Sequence, residues 1–130
     1  MALVKECICV SFVISSSDNY IEEITDILGL APTAVINKKD IALTEFQHYE
    51  WQYSIERESK VLTEVFDSLL DEMELIKERI IYAVNLCDGR VCIVVTIHAN
   101  EDNPEVILNR RIINFLFDIG AEIHFDLYYD

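Results

Sequence analysis

Hydrophobic residues follow two periods along this chain, one of two residues and one of three to four. Strand character is predicted for five segments: residues 4–15, 33–36, 48–55, 91–99 and 122–129. The first is apolar on both faces, as in a central strand with at least one face covered. The third alternates strictly and carries Trp51 on its apolar side. One side of the last strand is expected to point inward: Ile123, Phe125, Leu127 and Tyr129.

Three segments between these strands have helical spacing. They are predicted to run from Asn19 to Gly29, from Ser59 to Leu86 and from Asn103 to Phe117. In each segment the first residue is the expected N-cap. Three glycines fall where a helix is expected to stop: Gly29 as a left-handed stop, Gly89 together with Asp88, and Gly120. The second segment leaves room for a break near residues 71–74, and residues 37–47 are predicted to form a loop.

The resulting order is strand, helix, strand, strand, helix, strand, helix, strand. It predicts one α+β domain over residues 1–130, with a largely antiparallel sheet and the helices on one face, a sandwich of the ferredoxin-like type. No linker rich in proline, glycine or serine interrupts it.

The net charge of the chain limits the classes of partner that it can bind. The formal net charge is −14, although 52% of the residues are hydrophobic. A compact domain with this field repels nucleic acid and anionic membranes and attracts basic protein surfaces. The two basic pairs, Lys38-Lys39 and Arg110-Arg111, are too isolated for a nucleic-acid groove. With no signal-peptide pattern and no long apolar run, a cytoplasmic protein is expected.

The usual catalytic patterns are missing from the sequence. No glycine cluster exists for a phosphate loop, and neither a Gly-x-Ser-x-Gly nor a His-Glu-x-x-His pattern occurs. The cysteines Cys7, Cys9, Cys87 and Cys92 form no Cys-x-x-Cys pair and are expected to be reduced thiols. A cluster of Cys7, Cys9 and Cys92 with His98 is conceivable on strand faces, but buried cysteine is mostly a small hydrophobe. We therefore predict no enzyme and no cofactor.

An acidic stripe stands out on the second helical segment. Its five carboxylates follow spacings of three and four residues: Glu64, Asp67, Asp71, Glu74 and Glu78. Like charges at these spacings cost about 0.3 kcal/mol per exposed pair. Lys60 and Lys77 are expected to offset part of this cost. The stripe is either an ordinary solvated helix face or a docking edge on which a basic partner relieves the repulsion.

The last predicted strand offers a second candidate site. Glu122, His124 and Asp126 share one of its faces at two-residue spacing and could bind a metal or share a proton. The simpler interpretation is the solvated face of an antiparallel strand, since alternation alone places polar residues there.

Several motifs, spread over nearly the whole chain, also recur together in one known family. They are Leu28-Gly29-Leu30-Ala31-Pro32-Thr33, Trp51 opening a strand, Leu69-Leu70 on a helix, and the ending from Gly120 to Tyr128. With these motifs the chain resembles the bacterial family known as domain of unknown function 4279. The tryptophan and lysine-glycine turn that usually follow the Pro-Thr pair are absent here. The resemblance implies a small bacterial α+β protein and assigns no activity.

These observations lead to one functional hypothesis and one alternative. The hypothesis is a non-catalytic acidic binding protein, specifically an immunity protein that masks the surface of a basic toxin such as a nuclease. Its predicted contact is the acidic stripe. The alternative is a small metal- or ligand-binding enzyme or sensor that uses the C-terminal strand around His124. The oligomeric state stays open.

Overall fold

The computed structural model describes residues 6–37, 48–100 and 103–129. The strands are β1 (Cys7–Ser16), β2 (Ala34–Asn37), β3 (Tyr49–Arg57), β4 (Arg90–Ala99) and β5 (Glu122–Tyr129). The helices are α1 (Ile21–Leu28), α2 (Leu62–Met73), α3 (Lys77–Cys87) and α4 (Arg110–Ile119), with a 3-10 turn at Glu74–Ile76. The predicted order of elements is therefore confirmed. The loop predicted at residues 37–47 lies almost wholly outside the described residues.

The five strands form one sheet in the order β2-β3-β1-β4-β5. The pairs β2–β3, β3–β1 and β1–β4 are antiparallel, which with α1 and α2 gives the ferredoxin-like arrangement. The chain then crosses over through α4 and adds β5 parallel to β4. The expectation that the last strand is antiparallel was wrong, because a helical crossover returns the chain in the same direction.

The hydrophobic core lies between one face of this sheet and the helices. Alternate residues of β1 and β4 point into it, and Trp51 of β3 is fully buried there. The indole nitrogen of Trp51 donates to Thr25 Oγ1 of α1 at 3.0 Å, so the core tryptophan has a partner for its polar atom. Phe12 meets the indole edge-on, with ring centroids 6.1 Å apart. The opposite face of the sheet carries the polar alternate residues.

The second helical segment is interrupted where a break was expected. The 3-10 turn separates α2 from α3, so Glu78 lies beyond an interruption of the regular α-helical spacing. Ser59 is not the N-cap of α2, which begins after Val61. Instead Ser59 Oγ accepts from the Val61 backbone at 3.0 Å and donates to Glu64 at 3.2 Å. None of the described helices is long and apolar enough to cross a bilayer.

The last helix begins six residues later than Asn103-Pro104 predicts, at Arg110 instead of Pro104. Asn109 is its N-cap, and its side chain accepts from the Ile112 backbone at 3.0 Å. Upstream, Glu105 is extended because its backbone bonds to Lys60 and Leu62 next to α2. These tertiary hydrogen bonds override the local helix-start signal.

Strand β5 differs most from its sequence pattern. Of the four side chains expected to point inward, only Ile123 is partly buried, while Phe125, Leu127 and Tyr129 are exposed. The alternation is real, but β5 is the outermost strand of the sheet and the helices cover little of it. Burial could not be deduced from alternation alone.

Candidate functional site

The acidic stripe lies along α2, the 3-10 turn and the start of α3. Glu64, Asp67 and Asp71 are on α2, Glu74 is in the 3-10 turn, and Glu78 is in the first turn of α3. Helix α4 packs beside these elements. The structure thus keeps the five carboxylates on neighbouring turns, next to a helix that begins with two arginines.

Arg111 of α4 forms ion pairs with three of these carboxylates. Its guanidinium donates to Asp67 Oδ1 at 3.2 Å, to Asp71 Oδ1 at 2.9 Å and to Glu74 Oε1 at 2.5 Å. The hydrogen bonds to Glu74 and then Asp71 raise the pKa of the Arg111 guanidinium above its usual range. Helical spacing gives no sign of this contact, because Arg111 is about forty residues away in the chain.

This contact changes the electrostatics of the stripe. Arg111 already relieves part of the repulsion that a basic partner was expected to relieve. The two lysines expected to help are paired elsewhere, Lys60 with Glu6 at 3.3 Å and Lys77 with Asp118 at 3.2 Å. Lys77 and Arg110 also lie beside Glu74, but the five carboxylates outnumber these cations and leave a negative, partly prearranged surface. Glu64 and Glu78 lie outside the reach of Arg111.

The second candidate lies on the face of the sheet away from the helices. In the sheet register, Gln52, Val13, Cys92 and Glu122 lie side by side across four strands. The next row is Ser54, Ser11, Val94 and His124. The predicted residues of β5 therefore join polar residues from the centre of the sheet rather than standing alone on its edge.

A concave cavity of about 710 Å³ opens on this face. Its ionisable lining comes from β3 and the residue before it, from β4 and β5, and from the turn after α3: His48, Glu50, Asp88, Arg90, Cys92, Glu122 and His124. Glu50 accepts from His48 Nε2 at 2.5 Å and from the Gln52 amide at 2.8 Å. His124 Nε2 donates to Glu122 Oε2 at 3.2 Å. The cavity is open, and its lining mixes these ionisable groups with the apolar side chains of Val13, Val91 and Val94, which suits a ligand or peptide segment with polar groups better than a purely apolar small molecule.

The chemistry available in this cavity is limited. Burial raises the pKa of the Cys92 thiol, and the charges of Glu122 and Glu50 raise it further, so the thiolate needed for nucleophilic attack is disfavoured. Asp126 lies one row beyond His124 on the same face. Within residues 6–37, 48–100 and 103–129, no three ligating side chains converge as a metal site would require.

The conceivable cysteine cluster is not brought together. Cys7 lies opposite His98 in the register of β1 and β4, and Cys9 is two residues further along β1. Cys92, however, lies opposite Val13 towards the other end of the strands. All four cysteines are free thiols.

The β5 wall of the cavity could be found from the sequence, but the opposite wall could not. The strict alternation of residues 48–55 indicates only that His48, Glu50 and Gln52 share the polar face of a strand, and no sequence pattern singles out Arg90. Their alternation was a usable signal for facing solvent. Their proximity to Glu122 depends on the strand order, about which alternation says nothing.

Comparison with known proteins gives a family but no activity. Neither the curated proteins nor the solved structures contain a match to the chain. A family model does match, and it covers residues 5–130, which is nearly the whole sequence. On that match, the chain belongs to the family described as Domain of unknown function (DUF4279).

Proposed function

We propose that this chain is a non-catalytic acidic binding protein that masks the surface of a basic protein. The observation that carries the proposal is the acidic stripe, where five carboxylates lie along adjacent helical turns and three of them pair with Arg111. Such a surface attracts cations over a Debye length and speeds association with a basic partner.

The arrangement favours a protein over a small cation as the partner. The carboxylates extend over more than three helical turns, from Glu64 on α2 to Glu78 on α3. Arg111 already orders the carboxylate side chains in the middle of the stripe. Less side-chain conformational entropy is therefore lost when a partner binds there. The partner's basic groups would contact chiefly the outer carboxylates, which Arg111 does not reach.

The specific form of the proposal is an immunity protein that acts in the bacterial cytoplasm against a basic toxin, such as a nuclease. Masking needs complementary fields and no catalytic residues, and the raised pKa of the Cys92 thiol agrees with a non-catalytic role. A protein of this kind is expected to be encoded beside the gene of its toxin. The toxin domain is expected to carry a net positive charge.

Co-expression of the neighbouring gene tests this form. We expect its product to stop the growth of a host cell and this chain to restore growth. The variant E64Q/D71N/E78Q removes three of the five charges of the stripe and leaves Asp67 and Glu74 to hold Arg111. We expect it to restore growth poorly.

The matched control is E22Q/E23Q/D26N, which removes three exposed charges from α1 and changes the net charge by the same amount. It is expected to restore growth as well as the unaltered chain. A harmless neighbouring product, or equal protection by the two variants, would contradict the proposal.

A second function, binding of a polar ligand or metal, is favoured by one observation. The cavity of about 710 Å³ lies directly beside His124 and Glu122, with His48 and Glu50 on its other side. Imidazole and carboxylate groups are ordinary metal ligands and acid/base groups. Binding would have to draw these two pairs together, since neither pair alone supplies a full ligand set.

Elemental analysis of protein purified without added zinc tests the metal form of this function. Stoichiometric metal that disappears in His124→Ala, but persists in His98→Ala, would support it. His98 is on the same sheet face but stacks on Tyr128 outside the cavity. Protein without metal, which also takes up no zinc during dialysis, would contradict it.

A further inference from the structure

The two edges of the sheet are unequal. One edge is β2, which has only four residues, as is usual for a protected edge strand. The other edge is β5, which has eight residues, and within the described part of the chain no strand pairs with its outer side. A long free edge presents a row of unpaired backbone donors and acceptors.

Apart from its two carboxylates, Glu122 and Asp126, strand β5 lacks the devices that normally prevent edge pairing. Residues 122–129 contain no proline, lysine or arginine, and their register with β4 is unbroken, so no bulge twists the edge away. Apolar side chains are exposed on the helix side of the strand: Phe125 by 39%, Leu127 by 50% and Tyr129 by 58%. Such an edge is suited to pairing with another strand.

We propose that β5 pairs antiparallel with β5 of a second copy, about a two-fold axis at Phe125, so that the two sheets become one continuous sheet. In this register Phe125 faces itself, and Ile123 faces Leu127 of the other copy. Both pairs lie on the helix side, where they remove exposed apolar surface from water.

The polar side of β5 is complementary to itself in the same register. His124 faces Asp126 of the other copy, and Glu122 faces Tyr128. Each carboxylate thus meets a side chain that can donate a hydrogen bond, and the symmetry makes each pair twice. Tyr128 is prearranged, since its ring stacks on His98 at 4.8 Å between centroids. This self-complementarity is the reason for choosing a second copy over an unrelated strand.

Other registers lose this match. A shift that places the axis at Asp126 sets that carboxylate opposite itself, and an axis at His124 sets Glu122 opposite Asp126; like charges directly opposite are destabilising. A shift by one residue puts the apolar side of one strand next to the polar side of the other.

The net charge of −14 opposes any self-association. The two carboxylates of β5, Glu122 and Asp126, each face a hydrogen-bond donor in the proposed register. The remaining repulsion is therefore mainly between more distant charges, which salt screens. We therefore expect dimerisation to strengthen as salt is added. This inference does not rest on the proposed basic partner.

Sedimentation velocity of the full chain tests the inference. At about 50 μM chain and about 0.15 M and 0.5 M NaCl, we expect a dimer that is more populated at the higher salt. Phe125→Lys places two like charges on the axis and is expected to sediment as a monomer. Leu75→Lys, at an 85% exposed position in the 3-10 turn, is the matched control and should stay dimeric.

A charge exchange tests the register without relying on Phe125. His124→Asp sets two carboxylates opposite each other and is expected to weaken the dimer at least tenfold. The double variant H124D/D126H restores the pair with its members exchanged and is expected to recover the dimer. A monomeric wild-type chain would overturn the inference. So would a dimer that survives both Phe125→Lys and His124→Asp, or a double variant no stronger than His124→Asp.

Discussion

At the scale of single residues, glycine is required at position 89 because a side chain would not fit there, and not because of its backbone angle. A Cβ atom there would lie 2.7 Å from both the Ser15 carbonyl oxygen and Cys87 Sγ. The helix ends at Asp88-Gly89 as expected, and the left-handed residue of the pair is Asp88, with φ of 49°. Gly120 is the reverse case, with φ of 66° and no atom within 4 Å of the point that a Cβ would occupy.

This difference predicts two different costs for the same substitution. Gly89→Ala must displace backbone and is expected to lower the free energy of unfolding by about 2 to 3 kcal/mol. Gly120→Ala meets only the left-handed backbone penalty, about 1 kcal/mol. Urea unfolding measures both values. A larger loss for Gly120→Ala than for Gly89→Ala would contradict the explanation.

At the scale of elements, α4 depends on one capping residue. Asn109 supplies a side-chain acceptor for the Ile112 backbone, while Asn114 lies exposed within the helix. We expect Asn109→Ala to lower the free energy of unfolding by about 1 kcal/mol and Asn114→Ala to leave it nearly unchanged. Thermal and urea unfolding of the two variants provide the measurement. Equal losses would mean that Asn109 does not act as the cap.

The elements could be predicted from the sequence where local signals agree with tertiary structure. Trp51 on an alternating strand and Gly29 at the end of α1 are local signals, and both were confirmed. Asn103-Pro104 is an equally strong local signal, but backbone pairing of Glu105 with residues beside α2 overrides it. The exposure of Phe125 likewise depends on which strand lies at the edge, and alternation carries no information about strand order.

The candidate sites follow the same rule. The spacing of Glu64, Asp67 and Asp71 placed them on one side of a helix from sequence alone. The position of Arg111 among them depends on the packing of α4 against α2, and the cavity beside His124 depends on the strand order. The periodicity of the sequence thus predicted which residues share a face of one element, but it could not predict contacts between different elements.

At the scale of the whole molecule, the free thiols make stability depend on pH. Burial raises the pKa of the Cys87 and Cys92 thiols, and burial followed by the hydrogen bond to Glu56 raises that of Cys7. In each case the unfolded chain releases the proton at a lower pH than the folded protein does. The stabilisation is therefore complete below the unfolded thiol pKa of about 8.5 and is lost as the pH rises above it.

We accordingly expect that thiol ionisation leaves the free energy of unfolding unchanged between about pH 7 and 8. Above about pH 9 it is expected to lower the free energy of unfolding. Each thiol that ionises only in the unfolded state contributes about 1.4 kcal/mol per pH unit. Cys87→Ala should make the fall shallower, whatever its effect at neutral pH. Urea unfolding under reducing conditions measures this slope. A stability that rises from pH 8 to 10 would contradict the sign.

The central claim for the whole molecule is that the acidic stripe binds a basic protein, and calorimetric titration tests it most directly. The product of the neighbouring gene is titrated into the wild-type chain, into E64Q/D71N/E78Q and into the α1 control E22Q/E23Q/D26N. We predict saturable binding that the stripe variant weakens roughly tenfold, about 0.5 kcal/mol per charge, and that the control weakens less than about twofold. No binding, or equal weakening by the two variants, would contradict the claim.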